Sequence, residues 1–141
     1  MFSVSGRYDR RQVAISVVVV GDLAASVDGS ASILMEPLRA LVDTGATSSS
    51  ITPEAVRRIG LKRGGRRFVN TAGGMRRAPF YVFRIGPLHE NGAGAPYVLD
   101  EPIAGGEFTL GGFNYDILLG MDVISRGDLT IRRNGTYCFA F

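Results

Sequence analysis

The stretch Ala40–Ile51 reads ALVDTGATSSSI and is the part of the chain from which the fold can be worked out. Apolar residues lead into Asp43, and Thr44, Gly45 and a run of small hydroxyl residues follow it. An apolar run of this kind predicts a buried strand, and the residues after it predict a turn. The pattern therefore places a carboxylate at a strand end among residues of little bulk, as a turn-former or as a catalytic group.

Length and composition favour a single domain that spans residues 1–141. A chain of 141 residues with 45% hydrophobic content can bury a core without disulfides or metal sites to stabilise it. The single cysteine, Cys138, has no partner for an internal disulfide. No Cys or His spacing indicates a metal site, so we expect neither a metal nor another cofactor.

The most apolar segment, Val13 to Val20, is much shorter than the roughly 20 residues that span a bilayer. No small-residue cleavage site follows it, so we expect a cytoplasmic protein with no membrane partner. The net charge of +3 and the pI near 9.4 come mainly from scattered arginine pairs. Such a charge permits acidic partners without requiring them.

Short β-branched runs and nineteen glycines predict a mainly β fold in which helix is the minority. In the first half we expect a central strand at 13–20, a loop at 21–30 and an extended segment at 31–42 that Pro37 bends or places at an edge. A short helix follows, because Thr52 suits the N-cap, Pro53 the first turn and Gly60 the stop.

In the second half we expect a hairpin over 66–85, since Gly73 and Gly74 suit a tight turn within Thr71–Met75. Asn134-Gly135 predicts a second hairpin near the end of the chain. Between them the sequence predicts a surface loop at 86–96, strands at 97–103 and 106–110, and a buried strand, a glycine and a short helix within 115–127.

Three features are weak separately: Asp43 at a strand end, the glycine hairpin, and a second apolar strand end at Leu118-Leu119-Gly120. In this order, as LVDTGAT, TAGG and ILLGMDVI, they resemble the retropepsin-like aspartic proteases, the single-domain family that includes retroviral proteases. The run LLGMD before a final hairpin is most similar to bacterial and phage-like members. The resemblance implies a closed β-barrel-like acid protease fold with a flap hairpin and one or two short helices.

The resemblance also implies roles for three groups of residues. The catalytic loop would be Asp43, Thr44 and Gly45. The floor of the substrate site and the tip of the flap would contact the substrate. The second apolar strand end would pack behind the catalytic loop. The floor and tip residues are Ala46, Thr47, Thr71, Ala72, Gly73, Gly74 and Met75, and the supporting residues are Leu118, Leu119 and Gly120.

Peptide hydrolysis of this kind uses two carboxylates that share one proton, because two like charges about 3 Å apart cannot both ionise. The chain has one Asp-Thr-Gly and is too short for two similar lobes. We therefore expect a homodimer in which Asp43 of each subunit meets across a two-fold axis, with Thr44 bonded to the partner's loop. Its substrate would be a peptide or protein.

The sequence departs from retroviral members at Thr47 and Met121, where those proteins carry an acidic residue and an arginine that pair near the dimer interface. Both charges are missing together, so no orphan charge is buried, and dimer formation must rest on other contacts. The apolar end of the chain, Thr136–Phe141, suits either a strand between subunits or the completion of the subunit's own core.

Other functions also have to be weighed against the sequence. A catalytically silent relative, kept for dimerisation or peptide binding, would have the same motifs. Nucleic-acid binding through Lys62–Arg67 is disfavoured, because the charge is modest and aromatic residues do not alternate with the basic ones. Asp116 and Asp122 suit structural roles, and His89 lies in a predicted exposed loop, with no nucleophile motif near it.

Overall fold

A computed structural model describes residues 1–21, 33–71, 73–109 and 111–141 of the chain. Within these ranges the protein is mainly β, as predicted, with short helices at Pro53–Ile59 (α1) and Met121–Ile124 (α2). The strands are β1 Ser3–Arg7, β2 Ala14–Gly21, β3 Ile33–Val42, β4 Ser50–Ile51, β5 Gly65–Thr71, β6 Gly74–Pro87, β7 Ile103–Glu107, β8 Ile117–Leu119, β9 Asp128–Ile131 and β10 Thr136–Ala140.

Six of the strands close into a barrel. Their order is β2-β3-β8-β4-β7-β6, and β6 returns to β2 through antiparallel pairs from Val17↔Pro87 to Gly21↔Phe83. Closure leaves these strands without free edges for most of their length. The side chains that face the inside form one core, in which Ile15, Phe83 and Leu119 are fully buried. The predicted closed, barrel-like fold is confirmed.

The first half of the barrel follows the sequence closely. The valine run of β2 is flanked by β3 and β6, so the predicted central strand is confirmed. Pro37 lies where the register between β2 and β3 shifts, because Val17 pairs with Leu38 while Val19 pairs with Leu34. The proline thus sits in a bulge, where its missing N–H interrupts no regular ladder. The predicted loop at 21–30 falls, apart from Gly21, outside the described residues.

Helix α1 forms where its capping residues are. Thr52 is the N-cap and its hydroxyl accepts a hydrogen bond from the Ala55 N–H at 3.2 Å. Gly60 ends the helix in the left-handed conformation, with φ of 70°. Ala55 and Ile59 pack into the core, whereas Arg57 and Arg58 are exposed. The predicted helix and both of its ends are confirmed.

The region from 86 to 110 corrects three predictions. Gly86 and Pro87 are buried as the end of β6, and the irregular segment begins at Leu88. Residues 97–102 form no strand, although the Leu99 N–H bonds the Ile85 carbonyl at 2.9 Å. Strand β7 instead runs through two glycines, and the predicted strand at 106–110 contributes only its first two residues; Leu110 lies outside the described residues.

The physical reason for the shift is packing. A Cβ at Gly105 would lie 2.7 Å from the ring of Phe83, so the ring occupies the space that a side chain would fill. The glycines weaken β7 as an isolated strand, yet they let it lie against the large core side chains of β6. Tertiary contact has therefore overridden local strand propensity.

The chain ends lie together in a separate three-stranded sheet of order β1-β10-β9. The Asn134-Gly135 turn joins β9 to β10, which confirms the second hairpin. Strand β10 is paired on both sides by its own chain, and Tyr137 and Phe139 are buried in the core. The terminal segment therefore completes the core of its own chain and pairs with strands of that chain.

Tyr137 gives the fold a testable pH dependence. Its hydroxyl donates to Glu90 Oε1 at 3.1 Å and lies 3.3 Å from the Ala14 carbonyl oxygen. Burial, and then the Glu90 carboxylate, raise the pKa of Tyr137 above its ordinary value. Above pH 10 the unfolded state loses this proton first, so the free energy of unfolding should fall by up to about 1.4 kcal/mol per pH unit.

Urea unfolding between pH 9 and 11 measures this slope. Tyr137→Phe should flatten it, whereas Tyr97→Phe, which changes an exposed ring, should leave it unchanged. Equal slopes in all three proteins would contradict the assignment.

Candidate active site

Asp43 is positioned by two strands that end side by side. Strands β3 and β8 are parallel, with Ala40 opposite Ile117 and Val42 opposite Leu119. The Asp43 N–H then donates to the Leu119 carbonyl at 2.9 Å. The structure thus brings together two of the three sequence features, the Asp-Thr-Gly loop and the apolar strand end, although they are more than seventy residues apart in the chain.

The loop after Asp43 fixes the carboxylate through its own backbone. The Gly45 N–H donates to Asp43 Oδ1 at 2.9 Å, and the Ala46 N–H donates to the Asp43 carbonyl at 3.2 Å. Asp43 and Ala46 are half-buried, while Thr44, Gly45 and Thr47 are exposed. One carboxylate oxygen is therefore held by the chain, and the loop around it is open to a ligand or to another subunit.

The end of strand β8 and the glycine that follows it pack closely against the loop after Asp43. Leu119 is fully buried and Leu118 is half-buried. A Cβ on Gly120 would lie 2.6 Å from the Ser48 carbonyl carbon and 2.9 Å from the Ala46 carbonyl oxygen. Gly120 is therefore required by the closeness of two backbone segments.

Backbone hydrogen bonds also join the segments around Thr47 and Met121, the two positions where the charged pair of retroviral members is missing. The Met121 N–H donates to the Ala46 carbonyl at 2.8 Å, and the Asp122 N–H donates to the Thr47 carbonyl at 3.2 Å. These main-chain bonds join the start of α2 to the loop at the positions that lack the charged pair.

Ser49 and Asp122 form a contact that the sequence interpretation missed. Asp122 accepts hydrogen bonds from the Ser49 N–H, at 2.9 Å to Oδ2, and from the Ser49 hydroxyl, at 2.6 Å to Oδ1. The Ser49 oxygen in turn accepts from the Gly120 N–H at 3.0 Å. Asp122 does lie in the first turn of α2, as predicted, and its carboxylate also ties that helix to the loop that follows Asp43.

The other polar residues that the sequence singled out have structural or surface positions. Asp116 Oδ2 accepts from the Arg39 N–H at 2.9 Å, and Oδ1 pairs with Arg58 at 3.1 Å, which supports its structural role. His89 is exposed, as predicted, and its ring lies 4.6 Å from that of Phe2.

Ser49→Ala should lower the free energy of unfolding by about 1–3 kcal/mol, because the buried Gly120 N–H and the Asp122 carboxylate would both lose a partner. Thermal or urea denaturation measures the loss. Ser48→Ala is the matched control, since Ser48 is exposed whereas Ser49 is fully buried. Equal stability of the two variants would show that the Ser49–Asp122 contact contributes little.

The predicted hairpin is present as β5 and β6, with Thr71 opposite Gly74. Gly74 has a φ of 105°, which few other residues adopt, and the Met75 side chain is 64% exposed. Ala72 lies outside the described residues. In the strand order, the hairpin is separated from β3 and β8 by β2 on one side and by β7 and β4 on the other.

Over the ranges that the structure describes, no group of three or more His, Cys, Asp or Glu side chains is arranged to hold a metal ion. In the same ranges, no helix has the length and apolar character needed to cross a membrane.

Comparison with known families settles where the chain belongs. The sequence model of a family described as aspartyl protease matches residues 23–123, a segment that contains both the Asp43 loop and Gly120. The chain belongs to the aspartyl protease family. Within curated proteins, no sequence matches it significantly.

One solved structure supports the fold of this aspartyl protease family member. A retropepsin-like aspartic protease from Rickettsia conorii superposes with a TM-score of 0.60 at 16% identity, covering 99% of this chain and 91% of that one. The retroviral protease-like domain of Ddi1 from Leishmania major gives a TM-score of 0.43 at 18% identity, covering 85% of this chain and 82% of that one. The predicted retropepsin-like fold is confirmed by the Rickettsia conorii structure, and the predicted aspartic protease family is confirmed by the family match.

Proposed function

We propose that the chain is an aspartic endopeptidase that acts as a homodimer, with one Asp-Thr-Gly loop from each subunit. The observation that carries the proposal is the held carboxylate: Gly45 fixes one oxygen of Asp43 at the end of paired strands, in a loop that stays open. Membership of the aspartyl protease family supports the same chemistry. Residues 1–141 would act as one domain.

In this mechanism, two Asp43 carboxylates hold one proton and one water molecule between them. The ionised Asp43 takes a proton from the water as its oxygen bonds to the peptide carbonyl carbon, and the protonated Asp43 gives its proton to the carbonyl oxygen. The C–N bond of the intermediate then breaks as the leaving nitrogen takes the proton from the Asp43 that gained it, and a hydroxyl of the intermediate gives its proton to the other Asp43, which restores the starting dyad. No cofactor is needed, because protons are the only groups that the enzyme exchanges.

The remaining predicted residues have roles in the same proposal. Thr44, exposed next to Asp43, would bond the partner's loop, and Ala46 and Thr47 would form the floor beneath a peptide. The β5–β6 hairpin would be the flap, with Thr71, Ala72, Gly73, Gly74 and Met75 at its tip. Closure of a flap excludes water and adds backbone hydrogen bonds to an extended substrate.

A subunit-mixing experiment tests whether the site is shared. When intact and Asp43→Asn subunits are mixed in equal amounts and allowed to exchange, only the quarter of dimers with two intact subunits should be active. Activity on an unfolded protein at mildly acidic pH should then be about a quarter of that of the same total amount of protein in which every subunit is intact.

The other results separate the alternatives. Half of the activity would show that single subunits suffice, which contradicts the shared dyad. A strictly monomeric intact protein that cleaves no unfolded substrate would instead favour the silent peptide-binding relative.

A further inference from the structure

The β5–β6 hairpin concentrates the positive charge of the chain. From Leu61 to His89 the sequence has no aspartate or glutamate and seven lysine or arginine residues, while in the rest of the chain nine lysine or arginine residues are outnumbered by thirteen acidic ones. Folding brings two of the scattered arginine pairs together, since Phe68 pairs with Arg77 and Val69 with Arg76. The hairpin is therefore cationic on a chain that is otherwise acidic.

The arginines divide between two faces of the hairpin. Alternate residues of β6 at 81, 83 and 85 point into the barrel core, and β6 keeps its register with β5 and β7 throughout. Because side chains alternate along a strand, residues 75, 77 and 79 lie on the same side as that core. Their cross-strand neighbours share this side, so Phe68, opposite Arg77, and Arg66, opposite Pro79, lie there too. We call it the inner face of the hairpin and use the name for four exposed residues, which are Arg66, Phe68, Met75 and Arg77.

The inner face combines free charge with apolar surface. Phe68 is 65% exposed and Met75 is 64% exposed, and the Arg77 guanidinium lies 5.9 Å from the centre of the Phe68 ring. Among the residues that the structure describes, no carboxylate is within ion-pair distance of Arg66 or Arg77.

On the opposite face, by contrast, Arg67 has a structural role. It donates to the Ala104 carbonyl at 2.9 Å and lies over the Phe80 ring. Arg66 and Arg77 are thus available for a ligand on the inner face, whereas Arg76 is exposed on the opposite face.

The strand order indicates what kind of ligand would fit. Among the residues that the structure describes, strand β5 is at the end of the sheet and pairs with β6 alone, so none of them covers its outer backbone edge along Gly65–Thr71. Such an edge accepts an extended polypeptide, whose N–H and C=O groups continue the ladder. A nucleic acid has no equivalent groups, so the edge favours a peptide.

We propose that the inner face selects extended peptides that carry acidic side chains next to apolar ones. The proposal rests on the proposed function, in which this hairpin closes over the substrate. Guanidinium groups bind carboxylates through paired, charge-assisted hydrogen bonds, so Arg66 and Arg77 would hold glutamate or aspartate side chains. Phe68 and Met75 would cover neighbouring apolar side chains of the same peptide.

Two matched peptides test the proposal, one alternating glutamate with leucine and the other glutamine with leucine, each with the same soluble flanks. Binding is followed by fluorescence anisotropy on Asp43→Asn protein, which does not depend on cleavage, and kcat/KM is measured on intact protein. At low salt we expect about tenfold preference for the glutamate peptide in both. About 0.3 M salt should reduce the preference to roughly twofold, since exposed charges are screened.

Variants on the two faces locate the effect. Arg66→Gln combined with Arg77→Gln should remove the preference. Arg76→Gln changes the adjacent arginine on the opposite face and should keep most of it. Arg132→Gln combined with Arg133→Gln removes the same total charge from the exposed turn before Asn134 and should keep the preference in full.

The contrary outcomes are distinct. Cleavage of both peptides with equal kcat/KM would overturn the proposal and leave the protease function intact. No cleavage, with the glutamate preference present in binding, would contradict the protease function and retain the peptide selectivity. A labelled single-stranded oligonucleotide that binds as tightly as the glutamate peptide and displaces it would overturn the proposal in favour of a nucleic-acid surface.

Discussion

Replacing Asp43 by asparagine should lower kcat/KM for peptide hydrolysis by about a thousandfold or more without unfolding the protein. Asparagine has nearly the same shape as aspartate and keeps an oxygen that can accept the Gly45 N–H, so the loop should hold its geometry. It can neither take a proton from water nor carry the shared one. In the proposed homodimer, both carboxylates of the dyad would be lost, because each subunit would contribute the same residue.

The measurement needs a charge-matched control. Asp128→Asn makes the same chemical change at an exposed position at the start of β9 and should leave kcat/KM within about twofold of the intact protein. Circular dichroism and urea unfolding should show that all three proteins have similar stability. If Asp43→Asn retained the activity of the intact enzyme, aspartic catalysis by this chain would be ruled out.

Gly120→Ala should have the largest effect on the structure of the site. The added methyl group would lie 2.6 Å from the Ser48 carbonyl carbon and 2.7 Å from its oxygen, and these are backbone atoms that no rotamer change can move away. The loop and the start of α2 would have to separate, which breaks the bond from the Met121 N–H to the Ala46 carbonyl. We expect a loss of about 1–3 kcal/mol or more in the free energy of unfolding, together with a loss of activity.

Gly106→Ala is the matched control for this substitution. Gly106 is also buried, but the nearest atom to an added methyl would be the end of the Arg67 side chain, at 3.9 Å. Stability should therefore change little or rise, since alanine lowers the entropy of the unfolded chain. Urea unfolding of the two variants gives the comparison directly. Similar losses at both positions would contradict the view that backbone proximity at Gly120 is the cause.

A large part of the fold could be predicted from short segments alone. The ends of α1 at Thr52 and Gly60, the Asn134-Gly135 hairpin and the glycine hairpin all formed where the residues indicated. In each case the deciding interaction joins residues a few positions apart, so the sequence of the segment is enough to predict its structure. The Asp43 loop belongs to the same class, because the bond from Gly45 to its carboxylate spans two residues.

The path of β7 could not be predicted in this way. Its sequence includes Gly105 and Gly106, which weaken a strand considered alone, and the more strand-like residues on either side lie mostly outside it. What favours the glycines is the Phe83 ring, which fills the space above Gly105. Because that ring belongs to another strand, the local sequence of β7 does not predict where this strand lies.

The sequence by itself determined that a carboxylate stands at a strand end, that a glycine hairpin follows, and that a second apolar strand end precedes a short helix. Only the tertiary structure showed that Asp122 holds Ser49, that Gly120 has no room for a side chain, and that the inner-face arginines share one side of the hairpin. The physical reason is the distance along the chain between the residues that interact. Turns and caps depend on neighbouring residues, whereas buried polar contacts and charged faces depend on the strand register that brings distant residues together.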